Sequence, residues 1–291
     1  MRKFVLVVVL LLTACSGGAP ASLTPDQPPA VTEAATGVTD PTSEASPIPA
    51  VATLPLSTLP SGPVTLVALG DSLTQGDGDD SGRGYPGRLL EMLNEVRPGS
   101  EVLNLGQSGW SSDALIHGDQ GLESQLDRAV PALQSAMGMG RAAVALVWIG
   151  SNDLWYLYEY GGDVKDDGDA QDAARFAANM DIILSRLRGT GAPVIVALLD
   201  DQSKRPVALK GEAFTAITQD ELHRMSAQVG RYNTIIVTKA AQYGALIVDF
   251  SSTDIFTNPA TLYDDGNHPN RAGYEQIAQK WWEVITPLLG G

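Results

Sequence analysis

The chain has 291 residues, a formal net charge of −15 and a single cysteine, Cys15. Such acidity weighs against nucleic acid or anionic lipid head groups as partners. One cysteine excludes an intramolecular disulfide and any cysteine-based metal cluster, so the fold has to stand on its apolar core.

Met1-Arg2-Lys3, an unbroken apolar run from Phe4 to Leu12, and Thr13-Ala14-Cys15 lay out a short bacterial export signal. The run is far below the about 20 apolar residues that a membrane-spanning helix needs. Leu12-Thr13-Ala14-Cys15 resembles a bacterial lipobox. This resemblance implies that residues 1–14 are a signal peptide and that Cys15 becomes a lipidated N-terminus. Loss of Arg2 and Lys3 would take the charge to −17. The expected product is an exported lipoprotein on the extracytoplasmic side, at the cell surface or in the periplasm, held to the membrane through its lipid.

Residues 16–62 carry nine of the 18 prolines, mixed with Ala, Thr and Ser, and contain no aromatic residue, Lys or Arg. Such a stretch cannot bury enough apolar surface to offset its ordering entropy. Residues 15–62 are therefore expected to form a disordered tether, with an r.m.s. span of roughly 40 Å. Residues 63–291 suit one domain with a sizeable core.

Within that domain, short Val-, Ile- and Leu-rich runs recur at 64–69, 101–105, 142–149, 193–199 and 245–250. Being continuous and apolar, they predict strands buried on both faces. Between them, Tyr85, Leu89, Leu93 and Val96 keep helical spacing. So do Phe176, Met180, Leu184 and Leu187, and then Leu222, Met225, Val229, Tyr232 and Ile236. A last helix carries Tyr274, Ile277, Ala278, Trp281 and Ile285 as core residues. The alternation predicts an α/β three-layer sandwich: a five-stranded parallel sheet in flavodoxin-like order 2-1-3-4-5 with helices on both faces. Ligands bind such sheets beyond the carboxyl ends of the strands.

Chemistry-bearing residues stand at those ends. Gly70-Asp71-Ser72-Leu73-Thr74 follows the first strand and places a serine hydroxyl at a strand-to-helix turn, where backbone N–H groups are free for an oxyanion. Asp265-Gly266-Asn267-His268 precedes the last helix, and an Asp three residues before a His can hold its Nδ1–H while Nε2 faces a serine. The other histidines, His117 and His223, have polar or charged surroundings and read as surface residues. Asn104 to Trp110 follows the second strand with a glycine loop, and Gly150-Ser151-Asn152-Asp153 follows the third with a side-chain amide. A loop N–H and an Asn amide are two donors that an oxyanion hole can use.

Taken together, the four segments resemble the SGNH (GDSL-type) hydrolase family over essentially all of residues 63–291. The resemblance implies that Ser72 is the nucleophile, that Asp265 and His268 complete the triad, and that Ser72, Gly109 and Asn152 form the oxyanion hole. Asp264 is set aside by the family's Asp-x-x-His spacing, and Gly106 competes with Gly109 as donor. Trp110 either walls the acyl pocket or packs, and Trp155 is a second candidate for substrate contact. The family further implies a serine ester hydrolase acting through an acyl-enzyme. No cofactor is expected, and no required metal, because the acidic stretches Asp166 to Asp169 and Asp77 to Gly82 carry Ala174 and Arg88 where an EF-hand loop needs its twelfth-position glutamate. Hydrolase activity should fall as the imidazole protonates, and a rate flat down to about pH 4 would contradict His268 as base.

The expected substrate is a neutral carboxylic ester, with a short to medium acyl group or an O-acetyl group on carbohydrate. An O-acyltransferase with a sugar acceptor and a non-catalytic surface-binding lipoprotein are the alternatives, and a monomer is expected. Residues 154–172, rich in Tyr and then in Asp, read as a rim or lid. Asp200 and Asp201 read as hydrated loop carboxylates or as determinants of substrate choice.

Overall fold

The structure is a computed structural model in which residues 58–290, apart from Asp163 and Glu212, are described. The expected signal, Cys15 and nearly all of the tether lie outside the described residues. Five strands, β1 (Val64–Gly70), β2 (Glu101–Asn104), β3 (Ala142–Trp148), β4 (Val194–Leu198) and β5 (Leu246–Asp249), form one parallel sheet in the order β2-β1-β3-β4-β5. Every residue of β1, β3 and β4 is buried, as continuous apolar runs require between two helical layers.

The helices are α1 (Ser72–Gln75), α2 (Gly84–Val96), α3 (Ser112–His117), α4 (Gln125–Gly138), α5 (Ser151–Tyr160), α6 (Asp166–Arg188), α7 (Pro206–Lys210), α8 (Gln219–Tyr243) and α9 (Arg271–Ile285). One group, α2 with α9, packs on β1, β2 and β5; the other, α4, α6 and α8, packs on β1, β3, β4 and β5. Local chemistry fixes where they start. Thr218 and Glu221 form a reciprocal capping box on α8, and the Asn270 side chain caps α9. Helix α4 was not apparent in the sequence because Pro131 sits inside it, where it removes a helical hydrogen bond. Burial of Leu126, Ala129, Leu133 and Ala136 outweighs that loss.

The aromatic residues of α9 are core, as their spacing predicts. Trp281 is fully buried and stacks on Tyr85 at 5.3 Å, beside Trp148, which itself stacks on Phe250 at 4.2 Å. At the amino ends of the strands, the Leu59 N–H donates to the Leu288 carbonyl at 2.7 Å, and Arg97 Nη1 donates to the carbonyls of Pro60 and Gly62. The start and finish of the domain are thus clasped together.

The segment 154–172, expected as a rim or lid, is largely helical. These residues form most of α5, a short turn and the start of α6, with Leu154, Trp155 and Tyr158 buried. The acidic run Asp166 to Asp169 is the first turn of α6, where the helix dipole favours carboxylates. Asp169 faces inward and accepts from Tyr158 and Arg224.

Candidate active site

Strand β1 delivers the chain to Gly70, where a Cβ would meet Thr74 Oγ1 at 2.2 Å and the Trp148 carbonyl at 2.3 Å. Only glycine leaves room for Thr74 and the β3 backbone to come this close. Asp71 caps that helix, its Oδ1 accepting the Leu73 N–H at 2.9 Å. Ser72 takes the first helical position, where a backbone N–H has no intrahelical acceptor.

Across from it, His268 Nε2 lies 2.9 Å from Ser72 Oγ, and His268 Nδ1 lies 2.6 Å from Asp265 Oδ2. Asp265 Oδ1 also accepts the N–H groups of Asn267 (2.8 Å) and His268 (3.0 Å), so one carboxylate fixes both the turn and the imidazole. Partial burial pushes the Asp265 carboxyl up, but His268 and the two N–H donors hold it down at about 2. The neighbouring Asp264 has no part in this hydrogen-bonded chain. His117 and His223 are both exposed.

The loop after β2 is fastened to α1 at several points. The Gln107 N–H donates to the Gly70 carbonyl at 3.1 Å, and Gln75 Oε1 accepts the Ser108 N–H at 2.6 Å. Gly106 spends its N–H on Asn104 Oδ1 at 3.0 Å. The N–H of Gly109, in a left-handed conformation at φ +78°, has no acceptor among the described residues. This favours Gly109 over Gly106 as a donor. Asn152 Nδ2 gives one hydrogen to the Trp110 carbonyl at 3.0 Å and keeps the other.

Three supporting residues escaped the sequence reading. Asp153 is buried and accepts the Ser112 N–H (2.8 Å) and hydroxyl (2.5 Å), tying the start of α5 to the end of the Gly109 loop. The Tyr156 hydroxyl donates to the Gly109 carbonyl at 2.6 Å and so orients that peptide. Arg205, 1% exposed, clasps Asp200 with two hydrogen bonds, at 2.8 and 2.6 Å, and donates a third at 2.8 Å to Asn267 Oδ1, inside the Asp265–His268 turn. Its guanidinium carbon also sits 4.5 Å from the centroid of the Phe256 ring. A basic residue four places after an Asp pair has no sequence signature of this kind.

Other expectations need correcting. Asp200 is buried in that ion pair, and Asp201 caps a turn and accepts from Ser226, so neither is a free loop carboxylate. Trp110 is 4% exposed and Trp155 2%, the latter stacked on Phe214 at 4.2 Å. Both indoles pack in the protein, and Trp110 serves the site through its carbonyl. Among the described residues no group of three His, Cys, Asp or Glu side chains is arranged to hold a metal ion.

Asp71 is fully buried and its Oδ2 has no hydrogen-bond partner. Burial raises its carboxyl to about 7, against the Leu73 N–H and the nearby Arg205 and His268, which lower it. Unfolded, the same carboxyl ionises near 4. Between about pH 4 and 7 the unfolded state therefore gains the charge first, and stability declines by up to about 4 kcal/mol. Asp71→Asn should raise the thermal midpoint at pH 8 and give no such gain at pH 4, as followed by circular dichroism. Equal gains at both pH values would contradict this account.

A family model, the GDSL-like Lipase/Acylhydrolase family, matches residues 68–276. The chain belongs to this family. It is a carboxylic ester hydrolase of the GDSL-like type. Uncharacterized protein YpmR of Bacillus subtilis is 26% identical over 230 residues, which cover 76% of this chain and 81% of that protein. The psychrotrophic esterase EstA of a Pseudoalteromonas species is 16% identical, with a TM-score of 0.52 over 78% of this chain and 99% of its own. The acetyl xylan esterase AlAXEase is 17% identical, with a TM-score of 0.51 over 76% and 99%. At these identities the two structures show the shared GDSL-like fold.

Proposed function

We propose that this GDSL-type hydrolase cleaves neutral carboxylic esters through a Ser72 acyl-enzyme. The supporting observation is the hydrogen-bonded chain from Ser72 Oγ to His268 Nε2 (2.9 Å) and from His268 Nδ1 to Asp265 (2.6 Å). His268 Nε2 takes the hydroxyl proton while Ser72 Oγ forms a bond to the ester carbonyl carbon. The negative charge on the carbonyl oxygen is met by the N–H groups of Ser72 and Gly109 and by the free hydrogen of Asn152 Nδ2. Collapse breaks the bond to the alkoxy oxygen, which leaves with the proton from His268. Water then gives a proton to His268 and attacks the acyl carbon. Ser72 Oγ departs and recovers that proton, so one ester and one water yield one acid and one alcohol.

The substrate in this reading has a short to medium acyl group or is an O-acetyl group on carbohydrate. The charge of −15 supports a neutral ester over an anionic one. The fold is shared with a protein named as an acetyl xylan esterase. The proposed setting is extracytoplasmic, with Cys15 as the lipid anchor, resting on the signal-like residues 1–14. Rapid quenching with p-nitrophenyl acetate followed by peptide mass spectrometry should find one acetyl group on the Ser72 peptide. Free acetate should remain the main product when a saccharide acceptor is added. Acetyl on another residue, or transfer to the acceptor in preference to water, would overturn this reading.

A further inference from the structure

Gln125 opens α4 and is buried, 55 residues along the chain from Gly70 yet hydrogen-bonded to it. We propose that its carboxamide stands in for a strand peptide at Gly70, and that it thereby sets Ser72 against both His268 Nε2 and the oxyanion loop. Gln125 is then a positioning residue for acyl transfer, acting from behind the nucleophile. The proposal rests on the Ser72 acyl-enzyme reading and adds the residue that holds the nucleophile's turn.

The end of the sheet creates the need. Strand β2 stops at Asn104, in register with Ala68 of β1, and so leaves Gly70 without a strand partner on that side. Gln125 fills the gap. The Gly70 N–H donates to Gln125 Oε1, and Gln125 Nε2 donates to the Gly70 carbonyl, each at 2.8 Å. A carboxamide carries the acceptor and the donor of a peptide on two separate atoms. Reversing it would set donor against donor and acceptor against acceptor, so a single orientation fits. On the other side Gly70 is in register with Trp148 of β3, and the residue is held from both edges.

What Gly70 carries makes this hold matter for the reaction. It lies two residues before Ser72, and its carbonyl belongs to the peptide that leads into Asp71. That carbonyl also accepts the Gln107 N–H at 3.1 Å, and the Gln107 carbonyl accepts the Trp110 N–H at 3.2 Å, closing the turn that contains Gly109. One acceptor thus joins the nucleophile's turn to the oxyanion loop, and Gln125 fixes its direction. Without the carboxamide a buried N–H loses its acceptor, and the Gly70 peptide is free to tilt. Ser72 and Gly109 would then shift against each other.

The same device recurs at β4. Asn233 Oδ1 accepts the Leu199 N–H and Asn233 Nδ2 donates to the Leu199 carbonyl, both at 2.8 Å, just ahead of Asp200. Each carboxamide stands where a strand hands the chain to the site, and Gln125 is the one that acts on the turn of Ser72.

Full-length wild type, Gln125→Met, Gln125→Glu, Ser100→Ala and Ser72→Ala are compared on p-nitrophenyl acetate between about pH 6 and 9, where His268 passes into its neutral form. Circular dichroism checks folding. Methionine keeps the length of glutamine and neither hydrogen bond. Ser100 is the control on the same strand, its buried hydroxyl accepting the Val64 N–H at 3.0 Å at the amino end of β1. Gln125→Met should lower kcat by roughly 10- to 100-fold with KM within about threefold of wild type, since displacements of about 1 Å at a reacting group cost that much. Ser100→Ala should leave kcat unchanged although it too loses a buried bond. Gln125→Glu keeps the size but, when ionised, not the donor; its deficit should narrow as pH falls and the carboxyl regains a proton to donate to Gly70. This variant also keeps the test open should Gln125→Met not fold. Wild-type kcat in Gln125→Met, a loss confined to KM, or an equal loss in Ser100→Ala would overturn the positioning role while leaving the hydrolase intact. Turnover that survives in Ser72→Ala would overturn the acyl-enzyme reading and this role with it.

Discussion

Replacing Ser72 with alanine should lower kcat for p-nitrophenyl esters by roughly 10⁴- to 10⁶-fold, with KM and thermal stability little changed. His268→Ala should cost about as much, and the double variant hardly more, because the hydroxyl and the imidazole act as one unit at 2.9 Å. Steady-state kinetics on all three variants checks both the size and the lack of additivity. Multiplicative losses would mean that the two groups act separately. Asp265, held at about 2, stays ionised through the range in which such assays are run. The stability it contributes is present above about pH 4 and is lost as pH falls towards 2. An acid limb in the rate profile at higher pH therefore does not come from this carboxyl.

Arg205 is the second position where a large effect is expected. Arg205→Met would leave the Asp200 carboxylate buried without its cation, and a broken buried pair costs about 3–5 kcal/mol of stability. The milder variants separate support from catalysis. Lysine keeps a charge but lacks the planar fork that reaches both Asp200 oxygens and Asn267 together. Asn267→Ala keeps the ion pair and removes only the link to the catalytic turn.

Both variants should lower kcat with little change in KM, Arg205→Lys by roughly 10- to 100-fold, since displacements of about 1 Å at a reacting group cost that much. Asn267→Ala should do so without moving the unfolding midpoint. Unchanged kcat in both would reduce Arg205 to a packing role.

These two sites differ in how far the sequence announces them. Ser72, Gly109, Asn152, Asp265 and His268 are legible because each stands in a short motif beside a strand or helix end, and the fold brings those ends to one edge of the sheet. The five strands are legible for a related reason, since burial on both faces demands continuous apolar runs. Arg205 and Asp153 are not, because the links that tie them to the site, to Asn267 and to Ser112, span 62 and 41 residues and no local pattern marks them. Trp155 misleads in the opposite direction. An aromatic residue near the candidate oxyanion-hole Asn reads as a ligand contact, yet here it packs with Phe214, Tyr158 and Met225 in a second apolar cluster. Helix α5 hides because aromatic residues stand on both of its faces, Trp155 and Tyr158 buried and Tyr156 and Tyr160 exposed.

The clasp between Leu59 and Leu288 fixes which end of the sheet the first described residues occupy. Strand β1 runs from this clasp to the nucleophile, and at about 3.3 Å per residue its seven residues put roughly 23 Å between the two ends. A chain leaving ahead of Thr58 departs from the end of the sheet remote from Ser72. Substrates thus meet the domain at the end of the sheet opposite to the Leu59–Leu288 clasp.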